Sequence, residues 1–424
     1  MPLPDSRILN SGLQQHTLAA GATHQRTWTE TFQTKLLATA SSYKLNATNA
    51  DVANDQRLDQ ENTVEETSVF LEATYIPFQQ TSLTVGYEFV ETGITDLQQI
   101  DNPLFFREEK NVMRRNSGFA VLEYLSQDKN TNINIGVRAN HYNKFNTTFV
   151  EPRLSLSHRF LDHFTIELLG ELKSQNTSQV IDLQKDFLGV ENRRWQLSDP
   201  NRIPLLQSQQ SSIGLSFHKN RLLINIEPYL KKVDGITAQS QGFQNQFENL
   251  SDIGSYTVKG VDMLLNKKFN AVTTWLSYSY ADNRYRFDQL QPTVFHNNLD
   301  ITHTLNAGGN YKWKQFDVAL GLNWHTGKPY TAPDRTNPVT DGSINYAFPN
   351  AERIKDYVRV DTSVLYSFQI SKQVRALAGI SFWNLLDREN HVRSYFTLDD
   401  DQNVNRINDR ALPFTSNAAF RIFF

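Results

Sequence analysis

Three stretches of the chain place guanidinium groups beside aromatic rings. Asn192-Arg193-Arg194-Trp195 sets two arginines next to an indole. Phe105-Phe106-Arg107 and the pair Tyr330 with Arg335 offer similar mixtures. A planar guanidinium matches two-oxygen anions, so these residues suit bidentate contact with carboxylates or catecholate-like groups. Each stretch falls between segments of regular pattern, where loops on a rigid scaffold carry binding. The competing reading is a solvated loop. No catalytic arrangement stands out: there is no G-x-S-x-G, no H-E-x-x-H, no P-loop and no Cys/His metal spacing. The 10 histidines are scattered, and His158, His303 and His325 within or beside strands read as structural. The expectation is a protein that is not an enzyme and needs no cofactor or metal.

The elements that must position these stretches are strands. Leu83, Val85, Tyr87 and Phe89 alternate with Thr84, Gly86 and Glu88. Ile133, Ile135, Val137 and Ala139 alternate with Asn134, Gly136, Arg138 and Asn140. Val150, Leu154, Leu156 and Phe160 repeat the pattern, as do Phe164, Ile166, Leu168 and Leu172 around Glu167 and Glu171. Ile213, Leu215 and Phe217, then Leu222, Ile224 and Ile226, and later Phe316, Val318, Leu320, Leu322 and Trp324 around Asp317 continue it. Helices need apolar residues at 3.6 spacing, and these segments lack it. Short turns near Phe78–Gln80, Gln127–Asn130, Leu161–His163, His218–Asn220, Lys267–Asn270, Trp313–Gln315 and Ile370–Gln373 alternate with longer loops. Those loops are expected near Asn46–Asn62, Thr92–Arg115, Ser174–Gln207, Lys232–Asp252, Asp282–Asn298, Gly327–Asp356 and Asp387–Leu412.

Long strands, charges in mid-strand on the minority face, and short turns alternating with long loops are the pattern of a membrane barrel with a wet lumen. The fold class is therefore read as all-β, a transmembrane antiparallel up-and-down β-barrel, with about 16 to 18 strands present. Residues 31–424 form the barrel domain, and residues 1–30 an N-terminal segment with an incomplete strand. The chain has 424 residues, no cysteine, a net charge of −3 and 12% aromatics. Mean hydropathy is −0.51, yet a barrel meets lipid with alternate residues only. No run reaches the roughly 18 apolar residues of a membrane helix. Near-neutral charge gives no support to nucleic-acid binding. Aromatics near strand ends, namely Tyr278, Tyr280, Trp324, Tyr366 and Trp383, read as an interfacial girdle. The last strand, with Ala418, Phe420, Ile422 and Phe424 on one face, resembles the assembly signal of outer-membrane proteins.

Several stretches resemble the barrel of TonB-dependent outer-membrane receptors. Glu151-Pro152-Arg153-Leu154-Ser155-Leu156 resembles their PR-x-L-x-L strand. Asn249 followed by Gly260-Val261-Asp262 resembles an Asn before a G-[VI]-E strand start, with Asp262 in place of Glu. Thr326-Gly327-Lys328-Pro329-Tyr330-Thr331 resembles G-x-P-Y-T after a Trp-bearing strand, here Trp324. Arg359-Val360-Asp361 resembles R-V-D, and Asn384-Leu385-Leu386-Asp387-Arg388-Glu389-Asn390 resembles N-L-F-D-K-x-Y. The resemblance implies energy-coupled uptake across the bacterial outer membrane of a scarce, bulky nutrient, commonly a ferric siderophore. The partners implied are outer-membrane lipid and lipopolysaccharide, the ligand, and the TonB complex acting through a plug. Lipopolysaccharide contact is a second competing reading for the arginine-bearing loops. Such barrels have 22 strands and a plugged lumen. No plug, TonB-box segment or signal peptide is recognised, so a truncated chain lacking the plug and roughly the first six strands is expected. The alternative is a passive porin-like outer-membrane channel.

Overall fold

The computed structural model describes residues 9–51, 55–182, 192–200, 202–241, 252–399 and 401–424. Among them the regular structure is strand, apart from a 3-10 turn at Gln239–Gln241. The long strands are β1 (Leu9–Thr29), β2 (Phe32–Asp51), β3 (Gln56–Phe78), β4 (Thr81–Ile100), β5 (Phe105–Leu125), β6 (Thr131–Tyr142), β7 (Thr147–Phe160), β8 (Phe164–Gln175) and β9 (Leu206–Lys219). They continue with β10 (Leu222–Thr237), β11 (Ile253–Lys268), β12 (Val272–Arg286), β13 (His303–Trp313), β14 (Phe316–His325), β15 (Tyr357–Gln369), β16 (Arg375–Trp383) and β17 (Thr415–Phe423). The chain divides into two compact units. The first is Met1–Leu156, Leu169–Gln209 and Val233–Ser255; the second is Ser157–Leu168, Gln210–Lys232 and Tyr256–Phe424.

In the first unit β1 to β6 pair as successive antiparallel hairpins. Their register aligns Phe32, Tyr75, Leu83, Leu122 and Ile135 in one row across β2 to β6. All five are exposed, so this face is an apolar surface without a protein cover. The opposite face carries the row Glu72, Gly86, Phe119 and Arg138 and the row Phe70, Glu88, Ser117 and Asn140. Gly86 is required there: a Cβ would stand 2.3 Å from Cζ of Phe119, whose ring stacks on Phe70 at 5.4 Å.

Two expected loops are largely strand. Between Asn46 and Asn62 the ladder of β2 and β3 continues to Asp51 and resumes at Gln56. Between Thr92 and Arg115 it runs on to Ile100 and resumes at Phe105. β1 to β5 are 20 to 23 residues long, about twice the 9–11 that lipid alone requires. The segment expected as an incomplete strand is the 21-residue β1. The physical reason is continued cross-strand hydrogen bonding, with Leu58, Val90, Ile94 and Met113 buried on the face that is polar lower down.

In the second unit β12 to β17 pair in order. Val272, Tyr311, Val318, Val364, Ile380 and Ala418 form one apolar row. At the end bearing the short turns the rings of Trp313, Phe316, Tyr366, Phe368 and Phe420 follow one another at 4.7 to 6.5 Å. At the other end Tyr278, Tyr280 and Trp324 gather around His303, and the Tyr278 hydroxyl lies 2.9 Å from its Nδ1. Trp383 departs from the girdle expectation. Its place in the alternation of β16 puts it with Ser381, on the face opposite Ile380 and Phe382.

Candidate functional site

In the first unit the connection after β8 folds into a small hairpin, Thr177–Asp182 with Asn192–Leu197. It docks on the inward ends of β3, β4 and β5. Asn62 of β3 holds it by its backbone: the amide nitrogen of Trp195 donates to Asn62 Oδ1 at 2.9 Å, and Asn62 Nδ2 donates to the Trp195 carbonyl at 3.1 Å. Arg194 donates to Oδ2 of Asp96 on β4 at 2.7 Å, with both side chains largely buried. Beneath the hairpin Ile94, Met113, Tyr142, Leu197 and Leu205 form a core, against which Trp195 packs. The Tyr142 hydroxyl reaches Ser174 at 3.0 Å, and Ser174 donates from its amide and hydroxyl to the buried Glu151.

Below this core the same face turns polar. Glu88 accepts from Arg115 at 2.9 Å and from Arg138. Arg138 and the Ser117 hydroxyl both donate to Asn140 Oδ1, at 2.9 and 2.7 Å. Burial makes such charges expensive unless paired, and this belt pairs each of them. Phe105 and Phe106 stand exposed at the start of β5, and Arg107 donates to Glu109 at 2.8 Å. The side chain of Arg193 lies outside the described residues, as does Asn249.

In the second unit two loops are clasped by a buried carboxylate. Asp300 is fully buried and accepts from Arg353, from Nδ1 of His296 at 2.7 Å, and from the Asn283 amide at 3.2 Å. Arg353 also donates to the carbonyls of Asp300 and Gly327, each at 2.9 Å. Asp282, His296 and Asp300 have metal-compatible atoms close together. The guanidinium of Arg353 already occupies Asp300, however, and its charge opposes a cation there. Tyr330 pairs through Pro329–Tyr330 with Glu352–Arg353, and the Arg406 guanidinium lies 4.7 Å from its ring centre. Arg335 is exposed and donates to Glu352 at 3.0 Å. Nearby Asp334 is held below the usual carboxylate range, first by the Thr336 hydroxyl and then by backbone amides.

The structure thus brings Arg194 and Trp195 onto one wall of the first unit and Tyr330 and Arg335 into one loop pair of the second. Sequence reasoning set Glu88 and Arg138 on the polar face of their strands but missed their pairing, and it missed Asn62, Asp96 and the Asp300 clasp, because partners distant in sequence leave no local pattern. The recognised motifs act structurally. A Cβ at Gly327 would stand 1.7 Å from the Ile354 carbonyl oxygen. Asn384 donates its amide nitrogen to Asp361 and its Nδ2 to the carbonyls of Arg388 and Leu412. Asn390 clasps both backbone groups of Val358.

The family model described as TonB dependent receptor-like, beta-barrel, matches residues 3–385. The chain belongs to this family. This receptor barrel is a transmembrane antiparallel β-barrel of the bacterial outer membrane, so its apolar rows face lipid and its charged belt faces the lumen. No curated protein sequence matches it. Among solved structures it is similar to the ferric citrate transporter FecA, at TM-score 0.67 and 12% identity, covering 97% of this chain and 62% of that one. It is similar to the ferric yersiniabactin uptake receptor FyuA from Yersinia pestis, at TM-score 0.62 and 10% identity, covering 97% and 62%. It is similar also to the siderophore receptor PiuA from Acinetobacter baumannii, at TM-score 0.61 and 12% identity, covering 97% and 65%. At these identities the likeness is one of fold. The chain spans under two thirds of the length of these three structures.

Proposed function

We propose that this barrel serves TonB-coupled uptake of a scarce, bulky nutrient such as a ferric siderophore. The family match over residues 3–385 carries the reading. The names of FecA, FyuA and PiuA, a ferric citrate transporter, a ferric yersiniabactin uptake receptor and a siderophore receptor, support it. In this reading Arg193, Arg194, Trp195, Phe105, Phe106, Arg107, Tyr330 and Arg335 contact the ligand from the extracellular side. The exposed rings of Phe105 and Phe106 cover its apolar parts, and the arginines meet its anionic oxygens. Outer-membrane lipid and lipopolysaccharide surround the apolar face, and the TonB complex acts through a plug.

The test is uptake of labelled ferric siderophores by cells whose only outer-membrane receptor is the one carrying this chain. Uptake that stops when TonB is deleted or the proton-motive force is collapsed supports the proposal. Uptake that continues at the same rate without either would favour a passive channel and overturn it.

A further inference from the structure

The short turns of the second unit carry cations that face outward or stand at the tip. These are Lys219 and Arg221 where β9 turns into β10, Lys267 at the end of β11, Lys314 between β13 and β14, and Lys372 between β15 and β16. Alternation places Lys219 with the exposed Ile213 and Leu215, and Lys267 with the exposed Met263 and Leu265, so both extend lipid-side columns. Backbone hydrogen bonds tie the turns into one rim: the Lys268 amide donates to the Arg221 carbonyl at 3.1 Å, Lys312 to Ala271 at 2.9 Å, and Ser367 to Gln315 at 2.9 Å. Lys268, Lys312 and Arg375 of the same stretch lie on the lumen side, and the outward rim does not depend on them.

No carboxylate answers these charges. Among the described residues none of the five makes an ion pair. Asp317 of β14 is taken by Lys312 at 3.7 Å and by Asn310 at 2.9 Å. Asp162, in the turn between β7 and β8, sets a single negative charge against the rim. Lys267 gives one hydrogen to the Asn220 carbonyl at 3.0 Å and keeps two. The short turns of the first unit have no such excess: they hold Glu30, then no charge at Phe78–Gln80, then Asp128 with Lys129. Outward cations on β2 and β5 are paired as well, Lys44 with Glu61 at 2.7 Å, Lys110 with Glu65 at 3.9 Å and Arg114 with Glu91 at 2.6 Å. Bare positive charge is therefore a feature of this rim, and not of short turns or outward lysines in general.

Depth decides the partner. Exposed rings stand among the cations: Lys267 Nζ lies 5.6 Å from the centre of Phe269, and Lys314 Nζ 5.3 Å from that of Trp313. The line of rings from Trp313 to Phe420 runs along the same end. Aromatic rings gather where hydrocarbon meets headgroups, so the charged ends stand at headgroup depth while their stems lie along apolar surface. Neighbouring strands set successive hairpin turns about 10 Å apart, so the charges spread along an arc and do not converge on one point. Such an arc fits a row of mobile anionic headgroups better than one compact ligand. Outer-membrane barrels keep their short turns on the periplasmic side, where the leaflet is phospholipid. We propose that this rim binds anionic phospholipid headgroups of the periplasmic leaflet. The inference rests on the family and the fold and is independent of siderophore uptake. The rim faces away from the lumen, so a plug leaves it uncovered.

The experiment uses the whole receptor carrying this chain, held in nanodiscs of phosphatidylcholine. Spin-labelled phosphatidylglycerol and spin-labelled phosphatidylcholine are compared by the fraction of each immobilised at the protein surface. Phosphatidylglycerol should be preferred about fivefold or more, the worth of one cation near an anionic surface, and the preference should fall as salt rises. Lys219→Gln, Arg221→Gln, Lys267→Gln, Lys314→Gln and Lys372→Gln together should remove most of it, while arginine at the four lysine positions should keep it. Lys110→Gln with Arg114→Gln, at the other end of β5, should leave it unchanged. Folding of each variant is read from heat-modifiable electrophoretic mobility. Should the five-site variant fail to assemble, Lys314→Gln with Lys372→Gln in the exposed turns must still lower the preference about twofold or more. Equal immobilisation of the two lipids overturns the proposal, and so does a preference that survives loss of the five cations. Polyglutamate bound by the wild type but not by the glutamine variant, with no lipid preference, would overturn it in favour of an acidic protein partner. Loss of siderophore uptake with the lipid preference intact would refute only the uptake function.

Discussion

Leu320 and Gly321 are neighbours on β14, and the register places them on opposite faces. Leu320 stands midway along the strand in the lipid-facing row with Gly309 and Thr362, and it is 57% exposed. Gly321 faces the lumen, with no atom within 4 Å of a Cβ built on it. A lysine at Leu320 must hold its ammonium in hydrocarbon near the bilayer midplane, which costs roughly 2–4 kcal/mol. That is about a 30- to 700-fold shift in the folding equilibrium. A lysine at Gly321 points to the polar lumen side, where no atom of this chain lies within 4 Å of its Cβ, and removes a glycine from a strand interior, a change worth roughly 0.5–1 kcal/mol in its favour. Adjacent substitutions to lysine should therefore differ by about 2.5–5 kcal/mol. The assay is urea titration of the receptor in phospholipid vesicles, with folded protein quantified by heat-modifiable mobility. Leu320→Lys should show a clearly lowered midpoint and Gly321→Lys a midpoint at or above wild type. Equal midpoints, or a larger loss at Gly321, would refute the assignment of faces.

Removing the buried Asp300 carboxylate leaves Arg353 uncompensated, so Asp300→Ala should destabilise the clasped loops by about 3 kcal/mol; faster hydrogen exchange at Asn283 and Ala281, with unchanged exchange in β14, is the readout. Gly86→Ala should cost about 1–3 kcal/mol, because its methyl meets the Phe119 ring. Adding Phe119→Ala should recover much of that loss in a double-mutant cycle, but not all, since the Leu71 carbonyl lies 2.7 Å from the same Cβ. Glu88→Gln takes the shared carboxylate from Arg115 and Arg138 and should lower stability by about 1.5–3 kcal/mol, as measured by the urea midpoint. In the turn Ser126–Asn130 the Ser126 hydroxyl, and then the Asn130 amides, hold Asp128 down to about 2 from 3.8. A depressed carboxylate stabilises above its unfolded value, and that contribution is lost as pH falls from about 4 through about 2. The difference in midpoint between wild type and Asp128→Ala should shrink across that interval.

The lipid face was legible because it is a local property. Period two over Leu83 to Phe89 or Phe316 to Trp324 states which side chains share a side, and the ladder confirms those rows. Short turns were legible for the same reason, as at Leu161 and Asp162, where two residues with positive φ reverse the chain. The ends of β2 to β5 opposite the short turns were harder. Their alternation persists, but the apolar residues change faces: Leu58, Val90 and Ile94 point inward, where lower positions carry Phe70, Glu88 and Gly86. A reader expecting apolar residues on the lipid face takes that switch for a loop. It is a strand whose inner face has acquired a cover, the Thr177–Leu197 hairpin, from nearly a hundred residues away. Trp383 shows the converse error. An aromatic near a strand end suggests a girdle, but parity within β16 sends it inward toward Asp361.

The candidate binding residues gain a constraint from their partners that composition could not reveal. Arg194 is held by Asp96, Arg107 by Glu109 and Arg335 by Glu352. An anionic ligand therefore has to displace a carboxylate or share a guanidinium with it. At Arg335, which is exposed, that exchange costs little, because surface pairs are worth about 0–1 kcal/mol. At Arg194 the pair is largely buried and the next residue, Trp195, is held by the Asn62 hydrogen bonds, so releasing the guanidinium disturbs the docked hairpin as well. Within the proposed uptake function, Arg335 would therefore serve first capture, and Arg194 a ligand able to reorder the wall it binds.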